Sequence, residues 1–329
     1  MKARSSPLPW DEPGWFERIE SWVGGELGRL GLELQGTLGL VRTRPWAAVA
    51  RVATAAGDVW FKEPAPVLAF EPALTVAVSK HCPGFTPEVL AADGTLLLTR
   101  DAGLQLRSFL KTGEPAPSWD ELLPRYAGLQ IELAEAGDEL LALGVPDKRP
   151  AAVSFAYLDV VARVRGLELS QRALLRALAP QLKFLAEALE GSLSATVIHE
   201  EVHEANIFVR EGWARLLDWG EAAVSHPFAG LVNTLRDIAY RRGLKPDGRE
   251  MLRLRDIYLE PWSRFAPSAE LRETFKQAYL FGTVCRALSW DRVLSPLPAS
   301  VRAEYDRNAA VWLNIFRDGV ENGVRLGAS

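Results

Sequence analysis

Cysteine is scarce in this chain of 329 residues: Cys82 and Cys285 are the two, far apart and with no C-x-x-C spacing. No disulfide framework or Cys-based redox motif is readable from them, and each is expected to be a buried free thiol in a reducing compartment. Lysine is scarce too, supplying eight of the 38 basic residues, and the basic residues form no long run. With a formal net charge of −4 there is no electrostatic footprint for nucleic acid or for an anionic membrane. No uninterrupted apolar run reaches the roughly 18 residues that a membrane span needs. The N-terminal MKARSSPLPWDEPGW has two basic residues but no apolar stretch behind them, so it does not read as a secretion signal. A cytoplasmic location is the expectation. Internal repeats and low-complexity tracts are absent.

What remains is an ordinary folding composition, 48% apolar and 24% charged, in a chain long enough for two domains or one two-lobed enzyme. Residues 13–30 place Trp15, Ile19, Trp22, Val23, Leu27 and Leu30 on one helical face, with Pro13 near the start. VARVAT (49–54) and VWFK (59–62) flank Ala-Ala-Gly-Asp, a hairpin connection. A helical stretch over about 70–81 follows, then LLLTRDAG (96–103), an apolar run ending in a turn. From about residue 104 the pattern becomes helical, over 118–143, 153–164, 170–191, about 269–293 and about 301–319. One strand-like island interrupts it, IFV (207–209), a turn at 210–212 and ARLLDW (214–219). This order predicts an α+β chain with a strand-rich N-terminal lobe over 1–98, a short hinge at 99–103 and a helical C-terminal lobe over 104–329. Such a protein-kinase-like, two-lobed layout does not alternate β and α, which argues against a doubly wound sheet.

The stretch VIHEEVHEANIFV (197–209) carries two overlapping patterns. His199, Glu200 and His203 fit H-E-x-x-H, in which helical spacing puts two imidazoles on one face for zinc and Glu221 could be a third ligand. That reading needs several helical turns. The β-branched TVI before the motif and the NIFV hairpin strand after it leave room for little more than one.

Read at full length, His199-Glu200-Glu201-Val202-His203-Glu204-Ala205-Asn206, followed by Asp218-Trp219-Gly220-Glu221, resembles the aminoglycoside phosphotransferase / choline kinase superfamily. More narrowly, it is similar to the bacterial phosphotransferase enzyme family. The pattern there is H-G-D-x-H-x-x-N, then D-W/F with a second acidic residue about a dozen residues later. The resemblance covers nearly the whole chain in element order. It implies a Mg²⁺- and ATP- or GTP-dependent kinase that phosphorylates a hydroxyl of a small molecule.

On that resemblance Asn206 and Asp218 would hold Mg²⁺, an oxygen-seeking hard cation. For Asp218 the plain alternative is a turn residue after a strand; Glu221 is either an auxiliary metal contact or a solvated acid. Lys62 ends VWFK as the nucleotide lysine ends a kinase's third strand, and Glu71, nine residues on, opens a helix as the pairing glutamate does. The segment RTRPWAAVARV (42–52) stands where the phosphate-covering loop would be, without G-x-G-x-x-G. Leu98 and Arg100 would lie in the hinge facing adenine. His203 and His199 are expected to orient the loop by hydrogen bonds, with ligation or catalysis as the alternative and His203 a catalytic candidate beside Glu201; His226 is expected to be a structural cap.

Two positions depart from the family pattern. Glu201 stands where the catalytic Asp is expected, adding one methylene, roughly 1.5 Å of reach. Glu200 replaces a Gly, so if that position needs a positive φ the backbone is expected to change. An acidic rim of Glu200, Glu201, Glu204 and Glu221 would suit an amine-bearing acceptor. A kinase of reduced activity and a nucleotide-binding pseudokinase with a regulatory role both stay open.

Overall fold

A computed structural model describes residues 8–327. The first seven residues, part of the stretch expected not to be a secretion signal, lie outside the described residues. In the described chain an N-terminal lobe is built on a five-stranded antiparallel sheet. Helix α1 (Trp15–Arg29) comes first, then β1 (Gly39–Arg44), β2 (Ala47–Thr54), β3 (Gly57–Pro64), α2 (Glu71–His81), β4 (Val89–Asp93) and β5 (Leu96–Arg100). The strand order is β1-β2-β3-β5-β4. The period-two pattern of β3 sends Val59 and Phe61 to one face, where they are buried against Ile19, Val23 and Leu27 of α1. Each such side chain contributes roughly 1.5–3 kcal/mol. Trp60 and Lys62 therefore take the opposite face, which is how a hydrophobic alternation ends up aiming a lysine into the cleft.

The chain then crosses into the helical lobe through 101–103 and β6 (Leu104–Gln105). Gly103 (φ 92°) permits this crossing, because a Cβ there would lie 2.2 Å from Val209 O. The lobe continues with α3 (Leu106–Thr112), α4 (Trp119–Glu132), α5 (Gly137–Ala142), β7 (Asp147–Lys148), α6 (Pro150–Arg163), α7 (Leu169–Ala177), α8 (Ala179–Leu189) and β8 (Thr196–Ile198). After these come β9 (Ile207–Arg210), β10 (Trp213–Leu216), β11 (Ala223–Ser225), α9 (Leu231–Arg242), α10 (Arg249–Leu259), α11 (Ser268–Leu294), α12 (Ala299–Arg302) and α13 (Asn308–Asn322). The α+β, two-lobed expectation holds. Among the described residues no helix is long and apolar enough to cross a membrane.

Several boundaries differ from expectation. The helix expected over 118–143 breaks at a 3-10 turn over Leu133–Ala136, and the one over 170–191 breaks at Leu178. In the second case Pro180 at the start of α8 has no N–H to continue the ladder. Cys285 is buried, but Cys82 is only half-buried. The strand-like island is not alone either. Besides β10-β9-β6, a second small sheet, β7-β11-β8, runs with β11 parallel to β7 and antiparallel to β8.

Candidate active site

The two small sheets carry the two halves of the site. The β9–β10 hairpin has Asn206 just before its first strand and Asp218 just after its second. Leu217 N donates to Asn206 O at 2.9 Å and fixes the two ends side by side. Asp218 is left-handed (φ 68°, ψ 60°), a turn that directs its carboxylate across the cleft to the N-terminal lobe. There Lys62 Nζ donates to Asp218 Oδ1 at 2.6 Å and to Glu71 Oε1 at 2.5 Å. The expected Lys–Glu pair is present, and one ammonium ties strand, helix and hairpin together. Burial works against the Lys62 charge, but Asp218 and Glu71 outweigh it and raise the pKa. Burial likewise opposes ionisation of Asp218, yet Lys62 holds it below the usual carboxylate range. Gly220 keeps this corner tight, since a Cβ there would come within 3.1 Å of Glu71 Oε2 and 3.2 Å of Leu68.

This donor set suits Mg²⁺. Asn206 spends its Nδ2 on Glu201 O at 3.1 Å, which leaves the Oδ1 end of the amide, and Asp218 keeps Oδ2 in excess of its lysine bond. Two oxygen donors from a rigid hairpin, completed by phosphate oxygens and water, is the way this cation is usually held.

The other sheet delivers the acidic loop. Strand β8 runs into His199, Glu200 and Glu201; β11 follows Glu221; β7 ends in Lys148. The segment 199–206 is not helical, so the face that zinc ligation requires does not exist. His199 is fully buried: Nε2 meets Leu217 O at 2.9 Å, Nδ1 accepts from Glu201 N at 3.3 Å, and burial pushes its pKa down to about 4. His203 Nε2 sits 3.0 Å from Glu201 Oε2. Among the described residues no group of three or more His, Cys, Asp and Glu side chains could hold a metal ion, and the zinc expectation falls. Both histidines orient the loop instead. His226 is a cap, accepting from Phe228 N at 3.2 Å.

Glu200 overturns two expectations. Its φ of 63° keeps the left-handed backbone that a glycine would adopt freely, so the loop has not been rerouted. Its side chain does not join a rim. It is 1% exposed and points beneath the loop, where Oε1 accepts from Lys148 Nζ at 2.7 Å and Oε2 contacts the Ser289 hydroxyl and Arg286 Nη1. Burial opposes its ionisation, but Lys148 and Arg286 hold its pKa below the ordinary value. Lys148 also reaches Cys285 O at 3.0 Å and Ser289 Oγ.

Glu201 is 25% exposed at its side chain. Its Oε1 accepts from Arg286 Nη2 at 2.6 Å and from Asn233 Nδ2 at 3.2 Å, while Oε2 faces His203. Glu221 is engaged by Arg286 as well, through Oε2, so it is not the solvated acid that was the alternative for it. Burial, with Glu201 and Glu200 nearby, pushes Glu221 above the usual carboxylate range despite that arginine. Glu204 is buried, 3.9 Å from Arg241. The acidic rim is thus mostly a neutralised interior.

At the hinge, Leu98 is a correction. It lies mid-strand between Phe61 of β3 and Ala91 of β4, with its side chain in the core under α1, away from the cleft. Arg100 N donates to Glu88 O at 2.9 Å, and Asp101 N to Asp58 O at 3.1 Å, so these amides are satisfied within the lobe and do not await adenine. Sequence reasoning missed Arg286, Lys148, Ser289 and Asn233. A signal existed for the first: Arg286 interrupts FGTVC-R-AL, an otherwise uncharged, buried run of α11.

A family model described as "Phosphotransferase enzyme family" matches residues 47–293. The chain belongs to the phosphotransferase enzyme family. Solved structures agree on the fold. Macrolide 2'-phosphotransferase MphH from Brachybacterium faecium is 18% identical with a TM-score of 0.55, covering 90% of this chain and 98% of that one. A GDP complex of aminoglycoside 2'-phosphotransferase-IIIa gives 15%, 0.59, 91% and 98% for the same four quantities. Choline kinase LicA from Streptococcus pneumoniae gives 12%, 0.59, 90% and 99%. A comparison with curated proteins finds no match. Members of this family and fold are small-molecule phosphotransferases; at these identities the structures speak for the fold alone.

Proposed function

We propose that this phosphotransferase moves the γ-phosphoryl group of a Mg²⁺-bound nucleoside triphosphate, ATP or GTP, to a hydroxyl of a small molecule. The observation that carries the reading is the Lys62 bridge, which joins Glu71 and Asp218 across the cleft at 2.5 and 2.6 Å. A lysine held by two carboxylates is aimed, and when a nucleotide enters, its phosphates can take over one of those contacts. Asn206 and Asp218 would hold Mg²⁺, whose contribution is to neutralise charge building up on the phosphate oxygens.

The acceptor oxygen forms a bond to the γ-phosphorus while the bond from that phosphorus to the β,γ-bridging oxygen breaks. The bridging oxygen leaves on the nucleoside diphosphate, and the hydroxyl proton passes to Glu201 Oε2. Because the transition state is loose, orienting the hydroxyl matters more than strong basicity. A carboxylate whose pKa is held low by Arg286 and His203 against the effect of burial can still do that.

A pseudokinase is the second reading, favoured by the ion pair that already engages Glu201 Oε1. Thermal shift with Mg-ATP and Mg-GTP, followed by a screen of hydroxyl compounds for nucleoside diphosphate release, separates the two. Stabilisation plus acceptor-dependent release supports the transferase; stabilisation without release across the screen supports the pseudokinase; no stabilisation removes both.

A further inference from the structure

We propose that Arg286 and Asn233 form a cradle fitted to a glutamate at position 201, making them positioning residues for phosphoryl transfer and Glu201 a native part of the site. The inference rests on the transferase reading above and concerns the residue that departs from the family's aspartate.

The hydrogen-bond inventory carries it. A carboxylate offers about four lone-pair positions. On Glu201, Oε1 fills two with Arg286 Nη2 (2.6 Å) and Asn233 Nδ2 (3.2 Å), and Oε2 fills one with His203 Nε2 (3.0 Å). One position on Oε2 is left, on a side chain that is 25% exposed, which is what an incoming hydroxyl requires. An aspartate at this place would withdraw the carboxylate by roughly 1.5 Å. Hydrogen bonds weaken over a few tenths of an ångström beyond about 3.2 Å, so it would drop part of this set.

Nor can Arg286 follow a shorter side chain. Arg286 is 2% exposed and braced on several sides: by Glu200 at 3.4 Å, by Glu221, and by the rings of Trp290 and Trp312 at 6.0 and 5.8 Å from its Cζ. Glu200 is itself anchored by Lys148 and Ser289. The two departures from the family pattern therefore form one arrangement. Glu200 reaches down to fix the Arg286 segment of α11, and Arg286 reaches up to fix Glu201. Asn233 closes the cradle from α9.

The test is nucleoside diphosphate release from Mg-ATP with a hydroxyl acceptor found in the screen, or with water as acceptor, by the full chain and its Glu201→Asp, Glu201→Gln, Asn233→Ala and Asn233→Ala/Glu201→Gln variants. Glu201→Asp should lower kcat at least about tenfold while KM for ATP stays within about twofold, the mark of lost positioning without lost nucleotide binding. Asn233→Ala should lower kcat in the native background and add nothing in the Glu201→Gln background, a coupling that a merely structural asparagine would not show. Arg286→Lys is the companion variant, and Asn233 keeps the test decisive if that protein does not fold. A Glu201→Asp enzyme as fast as the native one, or Asn233→Ala effects that simply add, overturns the cradle and leaves the transferase reading standing. A native chain that binds Mg-ATP but releases no diphosphate overturns the transferase reading, and the positioning role with it.

Discussion

The half of the cleft proposed to take the nucleotide and the half proposed to take the acceptor are built on opposite plans. In the first, Lys62, Glu71, Asn206 and Asp218 come from separate elements and leave donor oxygens unspent. The Asp218 side chain is 40% exposed and Lys62 19%. In the second, Lys148, Glu200 and Arg286 are nearly closed off, at 3%, 1% and 2%, and satisfy one another. The second is tied by internal ion pairs, with Arg286 Nε left unpartnered and one acceptor position kept on Glu201. Glu200 and Glu201, the two positions expected to depart from the family pattern, both lie in the half whose partners are inside the protein, where Lys148 and Arg286 meet their charge.

The largest effect that tests this contrast is expected on the open side. Asp218→Asn should cut diphosphate release on the order of a thousandfold, since it removes charge where the transition state needs it, with little change in the urea midpoint. Lys62→Met is the next step down, a loss on the order of a hundredfold with a raised KM for ATP. Steady-state kinetics checks both, and a large stability loss from Asp218→Asn would break the comparison.

On the closed side the signature should be stability. Glu200→Gly relieves a left-handed backbone worth roughly 1–2 kcal/mol. It also strands a buried lysine, and breaking a buried pair from one side costs about 3–5 kcal/mol. The second term wins, so urea unfolding should show a net loss of roughly 1–4 kcal/mol. Much of that loss should return in Glu200→Gly/Lys148→Met. If the single variant is more stable than the native chain, the interior network is not a built feature.

The smallest effect concerns pH. Burial holds the His226 pKa down to about 3, below its ordinary value near 6.5. The unfolded chain therefore binds a proton that the native chain refuses, and stability contributed by this group is lost as pH falls below 6.5. Between pH 6.5 and 5 the loss is on the order of 1–2 kcal/mol. His226→Gln should flatten that part of the curve of urea midpoint against pH, and an unchanged slope would contradict the assignment.

Much of this was legible from sequence because the signals were local. VWFK followed by Glu71, and Asn206 followed by Asp218 across a hairpin, are fixed by strand alternation and turn length. The lobes followed from periodicity, although α9 and α10 went unread despite Leu231, Leu235 and Ile238, and Met251, Leu254 and Tyr258, at helical spacing. What stayed hidden was non-local. Arg286 and Lys148 meet Glu200 from 86 and 52 residues away, and no spacing rule connects them. For the same reason Glu200 and Glu201 looked like an exposed acidic rim, when tertiary packing had turned one inward and tied the other to an arginine. Leu98 was misplaced because an apolar run does not show where a strand ends.

The most direct measurement is acceptor-dependent diphosphate release from Mg-ATP by the native chain beside Glu201→Gln. Release by the native chain, falling on the order of a hundredfold or more in the variant while Mg-ATP still raises the Tm of both, is the expected result. Equal rates in the two proteins, with Mg-ATP bound by each, would contradict it.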